Sequence, residues 1–122
     1  MEMICKAMHT ENNDFYCVVK NDNEIIYALT DDELEDSEFT FPRIRDDFFD
    51  EDIIGTYKHF KGNNYEVIGE AFDSNSNKYI FYKALYDTDI KYFIRPYDMF
   101  FSLVDKEKYP DCEQEYRFMK MD

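Results

Sequence analysis

The sequence predicts a mainly β protein, a β-rich α+β chain built as a small barrel or sandwich of short antiparallel strands with one or two short helices. Two observations carry this expectation. Short aromatic and β-branched runs recur along the chain, and clusters of turn-forming residues punctuate them at intervals of about eight to twelve residues. The chain also holds 12 Phe and 11 Tyr among 122 residues, enough ring surface for one core.

Asp14–Lys20 (Asp-Phe-Tyr-Cys-Val-Val-Lys) is a strand candidate, Asn21-Asp22-Asn23 a polar turn and Glu24–Leu29 the returning strand. In Thr30-Asp31-Asp32-Glu33, a Thr precedes a Glu by three residues, as a capping box requires. The carboxylates there suit the positive end of a helix, so a short helix is expected over about Asp31–Asp36. Pro42 interrupts any helix leading to Arg43, which makes Phe39–Ile44 extended. Further strands are expected at Thr56–Phe60, Tyr65–Phe72, Tyr79–Tyr86 and Ile90–Ile94. Lys61–Asn64, Asp73–Asn77 and Asp87–Asp89 are the turns between them. Arg95-Pro96 then opens a single helical turn through Phe101, with Pro at its first position.

Charge narrows the function classes. The formal net charge is −14. Chains this charged and polar are often disordered, but disordered chains are poor in rings, so this one is expected to fold. A negative balance argues against gripping nucleic acid by its phosphates and against binding anionic membrane surfaces. No apolar run approaches the roughly 20 residues of a membrane span, and Met1-Glu2-Met3 opens no signal-peptide pattern. Cys5, Cys17 and Cys112 are odd in number and widely spaced, with no CxxC. They read as free thiols in a reducing compartment, which points to the cytoplasm of a cell or of a virus-infected host.

Between residues 55 and 104 a longer pattern stands out. Gly55, Tyr57, His59, Phe60, Lys61 and Gly62 are followed by Tyr65 and Val67, then Ala71 and the loop Asp73-Ser74-Asn75-Ser76. Tyr82, Leu85 and Tyr86 come next, and Phe93-Ile94-Arg95-Pro96 leads to Met99-Phe100. In order and spacing this resembles a small bacterial and phage family, domain of unknown function 1653. The chain departs from that pattern at Asp73 and Asn75, where the family loop carries His and Glu, and at Phe93, where it carries Trp. The resemblance implies a compact SH3-like β-barrel and no particular activity.

The N-terminal half echoes the same pattern. Ala7-Met8-His9-Thr10-Glu11 resembles the family loop, and Phe41-x-Arg43-x-x-Asp46-x-Phe48-Phe49 parallels Phe93-x-Arg95-x-x-Asp98-x-Phe100-Phe101. The expected organisation is therefore one compact domain over residues 1–122. Residues 1–52 would form a β unit with an acidic insertion, a degenerate repeat, and residues 53–122 a barrel unit.

Catalytic signatures are scarce. There is no Gly-x-Ser-x-Gly, no Gly-rich phosphate loop and no Cys in a protease context. His9, His59 and Glu11 lack the spacing of metal ligands, so neither a metal nor a cofactor is expected. The chain reads as a non-enzymatic binding protein. Two surfaces are candidates. The first is an acidic run of Asp31, Asp32, Glu33, Glu35, Asp36, Glu38, Asp46, Asp47, Asp50, Glu51 and Asp52, opposed only by Arg43 and Arg45. Phe39, Phe41, Phe48 and Phe49 interleave these carboxylates. With the rings buried, the array would stand in for nucleic-acid phosphates and occupy the basic groove of a protein partner. That is the action of an inhibitor encoded by a phage or mobile element against a host defence effector, the phage link coming from the resemblance alone. The second surface is Tyr57, His59, Lys61, Tyr82 and Arg95, where cations among ring faces would hold a small anionic molecule or nucleotide. Against both stands the plainer arrangement, a solvated acidic face and an Arg95 that pairs with Asp98 or caps backbone carbonyls.

Overall fold

The computed structural model describes residues 1–121, apart from the side chain of Glu51. It is mainly β and contains a closed six-stranded barrel. Eight strands run in the order β1 (Glu2–His9), β2 (Phe15–Lys20), β3 (Ile26–Leu29), β4 (Gly55–His59), β5 (Asn64–Phe72), β6 (Lys78–Ala84), β7 (Tyr92–Pro96) and β8 (Phe118–Met121). Two short helices, α1 (Asp31–Glu35) and α2 (Tyr97–Phe100), complete the elements with 3-10 turns at Asp46–Phe48 and Glu51–Ile53. Among the described residues no helix is long and apolar enough to cross a membrane.

Two antiparallel meanders, β1-β2-β3 and β5-β6-β7, form the barrel wall. They are joined by two short parallel seams, β1 on β7 through Met8↔Phe93 and His9↔Ile94, and β3 on β5 through Ile26↔Ala71 and Tyr27↔Phe72. Closure thus draws on residues from both sides of position 52. Phe41–Phe49, which the sequence pattern sets beside Phe93–Phe101, contributes no strand.

Strand alternation sorts the side chains into three cores. The lumen takes one buried residue from each barrel strand: Ala7, Val18, Ala28, Ala71, Phe81 and Ile94. Three alanines make room for Phe81, so the lumen is filled rather than open. A β-bulge between Val67 and Gly69 lets β5 serve two neighbours. Its first half pairs with β4 and its last residues pair with β3. A Cβ on Gly69 would stand 3.3 Å from the Ile26 side chain, which explains a glycine at the bend.

On the other face of β5–β7 lies an aromatic core of Tyr57, Val67, Ile80, Tyr82, Phe100 and Phe118, enclosed by β4, β8 and α2. Phe100 and Phe118 stack at 4.1 Å with planes 9° apart. The third core, Val19, Tyr27, Leu29, Ile44 and Phe72, lies under Leu34, Phe39 and Phe41 of the acidic segment. Thr30 and Glu33 close the expected capping box, with Oγ1 accepting the Glu33 N–H and Oε1 accepting the Thr30 N–H.

Several expectations shift in detail. Ala7, Met8 and His9 belong to β1, with the turn starting at Thr10, rather than to a loop. That strand hides from sequence because its first residues, Met3 and Ile4 included, are exposed and break the alternation. β8 is an edge strand with Phe118 alone buried, so its pattern is equally faint. Phe39–Ile44 covers the third core without pairing as a strand, and Pro96 caps α2 instead of occupying its first position.

Candidate anion-binding cavity

The chain is acidic, yet four of its cations converge. A cavity of about 330 Å³ beside the end of β4 is lined by Lys61, Arg95, Lys108 and Arg117, with His59, Phe60 and Tyr109 between them and Asp105 as its one carboxylate. Different elements deliver these groups. β4 ends at His59, and the turn Phe60–Asn63 returns to β5, closed by N–H donations from His59 to the Asn63 carbonyl and from Gly62 to the His59 carbonyl, each 2.8 Å. Gly62 sits at φ +110°, a conformation a side chain resists, and this turn holds Lys61 at the rim. β7 contributes Arg95 from its outward face. The segment before β8 contributes Arg117, whose N–H donates to the Ser102 carbonyl at 2.9 Å and whose carbonyl accepts the Phe60 N–H at 3.0 Å. Asp105 and Tyr109 start a strap over residues 105–114, held by Lys106 donating to the Gln114 carbonyl at 2.9 Å and by Gln114 donating to the Lys58 carbonyl at 3.0 Å.

The cations are poorly neutralised. Among the described residues no carboxylate pairs with Lys61, Arg95, Lys108 or Arg117. Asp105 turns its Oδ1 to the N–H groups of Glu107 and Lys108. Arg95 donates Nε–H to the Tyr82 hydroxyl at 3.1 Å and lies 5.3 Å from the Phe118 ring centre. Among the described residues neither Asp98 nor a backbone carbonyl receives it. The Arg117 Nε is buried without a hydrogen-bond partner.

His59 registers the resulting field. Its pKa is pushed down to about 4, first by burial and then by Arg95, Lys61 and Arg117. The imidazole is therefore neutral. Its Nδ1 accepts the Lys61 N–H at 3.2 Å, which leaves the ring proton on Nε2. An anion entering the cavity meets guanidinium and ammonium donors and a neutral imidazole.

Of the five residues that sequence grouped here, His59, Lys61 and Arg95 line the cavity. Tyr82 stands behind it, buried, as the acceptor for Arg95. Tyr57 does not take part. It is buried in the aromatic core with its hydroxyl donating to the Ile53 carbonyl at 2.9 Å. Sequence reasoning missed Arg117, Lys108 and Tyr109, which lie far along the chain and join the site through the β4–β8 pairing. His9 is remote, buried at the barrel end with Nδ1 accepting the Glu11 N–H and its ring against Tyr16 and Tyr79. Among the described residues no three His, Cys, Asp or Glu side chains group as metal ligands.

A profile of the family described as protein of unknown function (DUF1653) matches residues 55–120, more than half of the chain. The chain belongs to this family. The matched DUF1653 region spans β4 to β8 and contains every cation of the cavity, Arg117 included. It does not contain β1–β3, which complete the barrel. No curated protein and no solved structure matches the chain.

The acidic run is divided by the fold. Asp31 faces Lys6 at 3.4 Å and accepts from the Cys17 thiol at 3.1 Å, which, with Lys6, holds its carboxyl below the usual range. Glu33 serves the capping box, Asp36 accepts the Glu38 N–H, Asp47 meets Arg45 and Asp50 accepts from Tyr97. Asp32, Glu35, Glu38, Asp46 and Asp52 are exposed, and among the described residues they have no ion-pair partner. The Glu51 side chain lies outside the described residues. Phe39 and Phe41 are partly buried, whereas Phe48 and Phe49 are 43% and 37% exposed, so the rings divide between core and surface.

Proposed function

We propose that this protein is a non-enzymatic binding module that holds a small anionic ligand in the cavity between Arg95 and Arg117. One observation supports this reading above the others: four cations without carboxylate partners among the described residues line one cavity in a chain of net charge −14. Concentrating unpaired cations costs stability, and a bound anion offsets that cost. The reading favours the second of the two surfaces recognised in sequence. Binding without turnover fits a neutral His59 whose one side-chain hydrogen bond is to a backbone N–H. The free thiols Cys5, Cys17 and Cys112 support a reducing compartment such as cytoplasm.

Isothermal titration with inorganic pyrophosphate at low and high salt tests the reading. Binding that weakens with salt and falls about tenfold in Arg95→Gln or Arg117→Gln is expected, the loss of one charge-assisted contact. Pyrophosphate binding that ignores both substitutions would sink it.

The acidic inhibitor is the second reading, favoured by the exposure of Phe48 and Phe49 among Asp46, Asp47 and Asp52. Rings beside carboxylates suit the arginines of a nucleic-acid-binding protein. Capture of such a protein at low salt and its release at high salt would support this reading. Retention unchanged in Asp32→Asn/Glu35→Gln/Asp46→Asn would argue against it.

A further inference from the structure

We infer that the cavity's ligand is a nucleoside monophosphate, its phosphate among Arg95, Arg117 and Lys108 and its base against Tyr109 and Phe60. The inference rests on the anionic-ligand reading and adds the identity of the ligand's uncharged end.

The wall of the cavity carries the argument. Phe60, Lys61, Lys108 and Tyr109 also line a second, larger hollow of about 780 Å³. Phe60 and Tyr109 meet edge to face with ring centres 4.9 Å apart. The Lys61 ammonium lies 5.8 and 5.6 Å from the two ring centres. The Lys108 ammonium also lies 5.6 Å from the Tyr109 ring centre, so the partition between the hollows is a ring pair flanked by two cations, a surface that suits a flat heterocycle joined to an anionic group.

The two hollows differ in charge. The smaller has four cations against one carboxylate already engaged by backbone N–H groups. The larger sets Asp111 and Glu113 against its lysines and adds Pro110 beside Tyr109. A second anion there would meet carboxylates, whereas a neutral ring with donors and acceptors on its edge would find both kinds of partner. A molecule spanning the partition is therefore anionic at one end and planar, neutral and polar-edged at the other. The larger hollow is within the range of small-molecule sites, roughly 300–1,000 Å³. A long polyanion fits less well, because the chain as a whole carries a net charge of −14.

Titration calorimetry at low salt compares inorganic phosphate, ribose phosphate, the four common nucleoside monophosphates and a phosphorylated oligonucleotide. At least one mononucleotide is expected to bind about tenfold tighter than ribose phosphate, the worth of one base stacked on a ring. Tyr109→Leu, checked for an unchanged urea midpoint, should weaken the mononucleotide more than ribose phosphate and so remove that advantage. Arg95→Gln should weaken both ligands alike. Mononucleotides no tighter than ribose phosphate would overturn the inference while the anionic-ligand reading stands. If none of the phosphates binds, both fall. An oligonucleotide tighter than every mononucleotide would also overturn the inference, in favour of a nucleic-acid end.

Discussion

Arg95 donates its Nε–H to the hydroxyl of Tyr82 at 3.1 Å. Tyr82 is anchored among Tyr65, Phe93, Phe100 and Phe118, so this single contact fixes a guanidinium by a rigid aromatic cluster. With Nε occupied and no carboxylate of the described residues paired with it, the terminal amino groups are left for a ligand. Tyr82→Phe should lower stability by about 1 kcal/mol, the worth of a lost buried hydrogen bond. It should also weaken pyrophosphate binding several-fold without removing a charge. A urea titration and calorimetry on the same variant check both effects, and unchanged affinity would show that Arg95 needs no such anchor.

His59 makes stability depend on pH. Its pKa lies at about 4 in the folded protein against 6.5 for a free side chain, so the unfolded chain takes up the proton first as pH falls. The stabilisation is complete above about pH 6.5 and is lost progressively towards pH 4. Its size is at most about 3 kcal/mol from the shift itself, before solvent screening of a half-buried ring. His59→Gln should flatten this part of the profile of urea midpoint against pH. A saturating anion should raise the His59 pKa, which an NMR titration of the ring would follow.

Glu70 is buried at 8% exposure on β5, its Oε2 2.7 Å from the Lys78 ammonium and its Oε1 accepting the Asp50 N–H. Lys78 in turn donates to the Phe48 carbonyl and lies 4.2 Å from the Tyr97 ring centre. This group of contacts ties the end of the acidic cover to the barrel. Lys78→Met leaves a buried carboxylate without its cation and should cost about 3 kcal/mol. Adding Glu70→Gln should recover much of that loss. A double-mutant cycle by denaturant unfolding measures the difference, and additive losses would contradict the coupling.

The other end of the cover depends on Thr30. Thr30→Ala removes the oxygen that accepts the Glu33 N–H and should cost about 1 kcal/mol. Because α1 has only five residues, the loss should also raise amide exchange at Leu34, which packs on the third core. Thr30→Ser restores the acceptor and should restore protection.

Local chemistry explains which parts of this fold could be read from sequence. The capping box over Thr30–Glu33, the Asn21–Asn23 turn and the β5–β6 hairpin are set by neighbouring residues, and each stands close to where its pattern places it. β8 is an edge strand with three of its four residues exposed, and the first half of β1 is largely exposed, so their hydrophobic alternation is too weak to announce them. The site shows the same division. Gly55–Gly62 and Arg95-Pro96 form recognisable patterns. Arg117 reaches the cavity only because β8 pairs with β4, a long-range contact that no local spacing encodes. Tyr57 reads like a ligand-site ring in sequence, but in the fold its alternation turns it inward.

Each parallel seam of the barrel is two residue pairs long, whereas the meander ladders have at least four. The wall is thus two cohesive leaves bound at two narrow spines. In chain order the first leaf is complete by Leu29, yet its free edges have no mates until β5 and β7 follow. The acidic segment is translated in between. Its excess of negative charge would keep nascent copies apart while two open edges await closure.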